Sequence, residues 1–274
     1  MNLNKTTWEQ AVCILQATEG METLVKACYY DVPLLAACKR YAASIEWMAI
    51  QRILGDRRGR AIDVGAGRGI AAYALAKDGW HTIALEPDPS PIVGAEAIRA
   101  LAKEASLDIN VVETWGEHLP FSDSTFDLVF CRQVLHHARD LEAFCREVSR
   151  VLRPNGIFLA LREHVISKPE HLTAFLDAHP LQKYYGGEHA YLLKDYIACI
   201  EQADLVVEKI FNPFASEINT FPLAFSDVKK RMAKKIHFPF PGLIPDWVLR
   251  MRGATIHSPG RIYSFVARKS AQNV

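Results

Sequence analysis

The hydrophobic positions of this chain change period near residue 58. Before it, Leu24, Val25 and Cys28, then Leu34, Leu35 and Cys38, then Ile45, Met48, Ala49 and Ile53 recur at helical spacing, with no strand signal. From Arg60 short apolar runs alternate with helical patterns. AIDV precedes a helix that starts at Ile70 and ends at Gly79; HTIALEP, INVVET, DLVFC and GIFLALR are the next apolar runs. The helix LEAFCREVSRVL stops at Arg153, because Pro154-Asn155-Gly156 is turn chemistry. LKDYIACIEQADL leads into LVVEKIF, and RIYSFVARK supplies a last strand. Strands separated by helices predict an α/β fold, a parallel sheet covered on both faces. The organisation expected is an N-terminal helical cap over 1–57 and one α/β domain over 58–274. An irregular, proline-rich insertion at about 212–259 is too long for a simple connection.

Composition narrows the class. Of 274 residues, 50% are hydrophobic and 23% charged, which excludes a disordered chain. Lys and Arg total 32 against 31 for Asp and Glu, so no global field draws the chain to nucleic acid or an acidic membrane. Cys13, Cys28, Cys38, Cys131, Cys145 and Cys199 form no Cys-x-x-Cys pair and read as free thiols in a reducing compartment. The start, MNLNKTTWEQ, has no signal-type apolar run, and no segment reaches the roughly 18 apolar residues of a spanning helix. A cytoplasmic protein is expected.

The strongest chemical signal is Asp63-Val64-Gly65-Ala66-Gly67-Arg68-Gly69, which follows a strand and opens a helix. Glycines there let a ligand approach the backbone. In a dinucleotide fingerprint the third glycine falls one residue later, where this chain has Ile70, which disfavours a nicotinamide oxidoreductase. Glu86, at the end of the second strand, can accept hydrogen bonds from vicinal ribose hydroxyls and favours an adenosine ligand.

DVGAGRG, LEPD, GEHLPFSDSTFDLVF, VLHHARD and REVSRVLRPNGIFL, in that order over about residues 58–165, resemble the motifs of class I methyltransferases. They are most similar to the type 11 group that includes the ubiquinone and menaquinone methyltransferases. The resemblance implies a Rossmann-like, seven-stranded, mostly parallel sheet with S-adenosylmethionine across the carboxyl ends of its first strands. It further implies that Gly65, Ala66 and Gly67 pass under the methionine portion and that Asp63 orients the loop near the amino group. Glu86 would hold the ribose beside Pro87, and Trp115, Gly116 and Glu117 would border the adenine. Many relatives carry Asp where this chain has Trp115. Cys131 and Arg132, at the end of DLVFC, complete the cofactor-side candidates.

An activated methyl donor needs alignment of the acceptor and, for some acceptors, a base. His164, just beyond GIFLALR, is the candidate base, as an imidazole able to titrate near neutral pH; His136 and His137 are the alternatives, or one of them braces the next helix with Asp140. Arg132 and Arg162 can bind an anionic acceptor or form ordinary ion pairs. KYYGGEHAY resembles a flexible cover over a site. No metal-ligand spacing is present. Without an Asn- or Asp-Pro-Pro-aromatic motif nucleic acid is an improbable acceptor, leaving a small molecule, a glycan or a lipid-linked intermediate, methylated at oxygen. Lys229, Lys230, Arg231, Lys234 and Lys235 beside FPFPGLIPDWVLRMRG suggest peripheral membrane contact over 229–252, or a solvated helix next to a pocket wall. The alternative function is a non-catalytic S-adenosylmethionine-binding or scaffold subunit. The oligomeric state is not legible.

Overall fold

Four helices precede the first strand: α1 (Trp8–Ala17), α2 (Glu22–Ala27), α3 (Leu34–Ala42) and α4 (Ile45–Leu54). Thr7 and Gln10 close a capping box at the start of α1, and the Ser44 hydroxyl accepts from the Trp47 amide to start α4. The computed structural model describes residues 6–182 and 184–271. Residues 1–5 of the segment tested for a leader, and Lys183 in the expected cover, lie outside the described residues.

The α/β part runs β1 (Arg60–Val64), α5 (Ile70–Lys77), β2 (His81–Leu85), α6 (Ala95–Ala105), β3 (Ile109–Val112) and β4 (Phe126–Arg132). It continues through a 3₁₀ turn (Leu135–His137), α7 (Leu141–Val151), β5 (Leu152–Ile166), α8 (His171–Ala178), β6 (Tyr191–Leu192), α9 (Leu193–Gln202) and β7 (Leu205–Phe211). After α10 (Glu217–Thr220), α11 (Phe225–Lys235) and α12 (Asp246–Thr255) comes β8 (Arg261–Lys269). The strand order is β3-β2-β1-β4-β5-β8-β7, with the two-residue β6 beside the end of β5. β8 is antiparallel to both its neighbours and the other pairings are parallel. This is the mostly parallel, Rossmann-like sheet that the resemblance implies, its seven-strand path extended by the short β6.

Period-two alternation divides the core. Ile62, Val64, Val129, Cys131, Phe158 and Ala160 face one layer, against Phe144, Cys145 and Val148 of α7 and Tyr196 and Ile200 of α9. Ala61, Leu128, Phe130, Leu159 and Leu161 face the other, against α5 and against Tyr41, Trp47 and Ile50 of the N-terminal helices. The first helices therefore cover a sheet face that would otherwise be wet.

Two local readings change. The helix α7 ends at Val151, because Leu152 already pairs with Phe126 of β4; Pro154 and Asn155 lie in a strand irregularity, Asn155 at φ 63°. The stretch 212–259 is not irregular but largely helical, and its prolines stand at element boundaries, as Pro245 does at the start of α12.

β5 carries one further irregularity. Its pairing with β8 shifts register between Ala160 and Glu163, and Arg162 sits at φ 62°. Its amide donates to Ser264 Oγ at 2.9 Å.

Candidate active site

The glycine loop follows β1, and three of its residues, Gly65, Gly67 and Gly69, have positive φ. A side chain at Gly65 would lie 2.7 Å from Val134 Cγ2, whereas nothing stands within 4 Å of one at Gly67. Gly65 therefore serves packing, and Gly67 leaves open space above the loop. Glu86 Oε2 accepts from the Gly67 amide at 2.7 Å and its Oε1 from the Asp88 amide at 3.0 Å. Burial pushes the Glu86 carboxyl up to about 7. Asp63 is buried one residue before the end of β1 and its Oδ2 has no hydrogen-bond partner among the described residues; burial pushes it up to about 8. An unpartnered carboxylate oxygen under an open glycine loop, with a second carboxyl one strand away, suits a ligand carrying an amino group and ribose hydroxyls. The residues present fit S-adenosylmethionine.

The other cofactor-side candidates are arranged unequally. Ala66 is buried at the start of the loop and Pro87 half-buried beside Glu86. The Trp115 indole is 53% exposed with the Arg139 guanidinium 4.8 Å from its ring centre, and Glu117 accepts from the Arg139 amide. Gly116 presses against Phe144, where a Cβ would meet Cε2 at 2.1 Å. Two assignments need correction at the side-chain level. Alternation turns Cys131 into the core against α7, where burial raises its thiol far above its ordinary range. Arg132 reaches the cap, donating to both oxygens of the fully buried Glu46 at 2.6 and 3.0 Å, with the Tyr29 and Tyr41 rings beside its guanidinium. Only the backbone of these two residues remains for the cofactor. Arg162 likewise is held by the carbonyls of Ile218 and Phe221.

The histidines depart furthest from expectation. His164 is buried and its pKa falls to about 3, so it stays neutral and is a far weaker base than one poised near pH 7. Its Nδ1 lies 3.4 Å from the Gly260 carbonyl. His136 does not brace α7, since Asp140 caps that helix through the Ala143 amide. Instead its Nδ1 lies 2.6 Å from Glu163 Oε2, whose carboxylate also accepts the amides of Val134 and His136. Burial lowers the His136 pKa well below its ordinary value. His136, His164 and Glu188 present ligand atoms within 4.8 Å of one another, with His137 and His179 alongside. Glu163 and His179 had no signal in spacing, because the group is assembled from segments far apart in the chain.

Residues 62–160 match the family described as a methyltransferase domain. An uncharacterized methyltransferase, YcgJ of Bacillus subtilis, is 31% identical over 111 residues, 40% of this chain and 43% of the relative. A ubiquinone biosynthesis O-methyltransferase of Methylocella silvestris is 35% identical over 101 residues, 37% of this chain and 38% of the relative. The chain thus spans less than half the length of these curated relatives. A geranyl diphosphate C-methyltransferase from Streptomyces coelicolor, solved with Mg2+, geranyl diphosphate and S-adenosyl-L-homocysteine, has the same fold. It superimposes with a TM-score of 0.58 at 13% identity, over 87% of this chain and 85% of that one.

Proposed function

We propose, from the premise that residues 62–160 carry a methyltransferase domain with S-adenosylmethionine as its cofactor, that the chain transfers methyl to an oxygen of an acceptor. The observation that carries the reading is the coupling of Glu86 to the open glycine loop at Gly67, above the unpartnered oxygen of Asp63. When bound, the cofactor supplies a methyl group already activated by its sulfonium. Glu86 then retains lone pairs for ribose hydroxyls, Asp63 accepts from the amino group, and Gly67 keeps the ligand's path clear. Trp115, Gly116 and Glu117 border the adenine.

The acceptor is a small molecule, a glycan or a lipid-linked intermediate. Tyr29 from the cap stacks on Phe221 of the 212–259 stretch at 5.7 Å, which supports an acceptor wall built from both. Phe240, Leu243, Trp247 and Met251 are exposed next to Arg231, Lys234 and Lys235. That combination of apolar and basic groups favours peripheral contact with an anionic membrane and, of the three acceptor classes, the lipid-linked one. Calorimetry with S-adenosylmethionine, followed by methyl-labelled donor and acceptor extracts, tests the reading. Binding of the cofactor with no labelled product from any extract would favour the non-catalytic subunit.

A further inference from the structure

We infer that His136, His164 and Glu188 form a binding site for one divalent transition-metal ion such as Zn2+, Mn2+ or Fe2+. All three side chains are buried, and they come from the turn after β4, from β5 and from the loop before β6. His136 Nε2 lies 3.7 Å from Glu188 Oε2. A tetrahedral ion with bonds of about 2.0–2.1 Å holds its ligand atoms about 3.4 Å apart, so His136 and Glu188 stand close to that spacing while the set, spread within 4.8 Å, draws in to close on an ion.

The surrounding hydrogen bonds prepare these atoms. His136 Nδ1 is 2.6 Å from Glu163, whose carboxylate accepts backbone amides and therefore takes the proton of that ring nitrogen as a donor. His164 Nδ1 faces the Gly260 carbonyl, which can only accept. Both rings are thereby assigned the tautomer with a bare Nε2, the arrangement by which a carboxylate or carbonyl orients a metal-bound histidine. Facing the bare nitrogen of His136 is Glu188 Oε2, an atom of a carboxyl only 8% exposed that has no hydrogen-bond partner among the described residues. Two lone-pair-bearing atoms opposed in a buried place call for a cation or a proton between them. Burial disfavours the charged form of all three side chains when nothing else is bound, raising the Glu188 carboxyl and lowering the two imidazoles. His179 Nδ1 stands 3.5 Å from Glu188 Oε1, and His137 Nε2 stands 3.9 Å from Glu188 Oε2.

Two imidazoles and one carboxylate suit a first-row transition ion better than Mg2+ or Ca2+, which prefer all-oxygen sets. Three protein ligands leave a position open. Resting on the methyl-transfer reading, that position takes the acceptor oxygen: the ion lowers the pKa of the bound hydroxyl, whose proton passes to solvent. His164 then acts as a ligand and not as a base.

The test uses the full chain without an affinity tag, stripped with a chelator and titrated with Co2+. The site predicts one equivalent of cobalt bound with visible d–d absorption, displaced by Zn2+. Glu188→Gln and His164→Ala should each weaken cobalt binding a hundredfold or more, with S-adenosylmethionine affinity within about twofold of the parent. Absence of stoichiometric cobalt binding, or equal affinity in a folded Glu188→Gln, overturns the site. Loss of cofactor binding in a parent protein that still takes one cobalt would instead overturn the methyltransferase reading.

Discussion

The Glu86 carboxylate is fixed 2.7 Å from the Gly67 amide, so the end of β2 and the glycine loop after β1 behave as one unit. Glu86→Ala should therefore weaken S-adenosylmethionine binding by about 1–3 kcal/mol, the scale of charge-assisted hydrogen bonds lost to a ligand. Calorimetry on the folded variant reads this directly; unchanged affinity removes Glu86 from the ribose site.

The two neighbouring glycines should respond differently. Gly65→Ala meets Val134 at 2.7 Å in a left-handed conformation, and should lower the melting temperature visibly. Gly67→Ala meets no atom within 4 Å and adds only the left-handed penalty of about 1–2 kcal/mol, yet should cost more than tenfold in cofactor affinity. Equal affinity in the Gly67 variant, measured by calorimetry, would move the ligand off this loop.

Asp63 and Glu86 have folded-state pKa values raised by burial to about 8 and about 7. The folded protein is then the tighter proton binder, so the stability tied to these carboxyls is present below their unfolded values and is lost as pH rises through the folded ones. Glu163 and Glu188 shift the same way, while the lowered histidines act only below about pH 6.5. Cofactor-free protein should melt at a lower temperature at about pH 8.5 than at about pH 6.5, and Asp63→Asn should flatten that slope. A melting temperature independent of pH across this window in the parent would mean that Asp63 is already ionised when folded.

Glu46→Ala strands the Arg132 guanidinium between Tyr29 and Tyr41 and should cost about 3–5 kcal/mol in urea unfolding. Replacing both partners, Glu46→Leu with Arg132→Met, should recover part of the loss, because no uncompensated charge remains. A double variant no more stable than the single would show that the pair contributes through packing alone.

For the basic and aromatic stretch, the full chain should sediment with phosphatidylglycerol vesicles and not with phosphatidylcholine vesicles, and lose that binding on Trp247→Ala with Phe240→Ala. Both substitutions are at exposed positions, so melting should hardly change. Equal sedimentation of the double variant would assign the patch to something other than a lipid surface.

What was legible in the sequence was what obeys local rules. The β-α-β alternation, the glycine loop and Glu86 are set by periods and spacings within a short stretch, and the structure brings them together at the ends of β1 and β2. Arg132 was legible as a charge at a strand end but not as the partner of Glu46, 86 residues earlier, because ion pairing across layers leaves no trace in spacing. The surroundings of the histidines are hidden from spacing for a related reason. His164 looks like a titrating group when only its neighbours in sequence are considered, yet its proton affinity is decided by burial beside His136, Phe175 and His179.

The register shift in β5 bears on how much change this strand can absorb. Consecutive residues of a regular strand point to opposite sides, yet Glu163 bonds His136 and His164 packs its ring 4.7 Å from the same imidazole. The extra residue accommodated around Arg162, at φ 62°, changes the parity of the strand just before both side chains are needed. Deleting that one residue would regularise the pairing, because Glu163, His164 and Val165 could keep Tyr263, Ile262 and Arg261 as partners and so keep their faces. A period-two reading carried from Ala160 past Leu161 therefore assigns Glu163 to the wrong face, because Ala160 and Glu163 share a face at a separation of three.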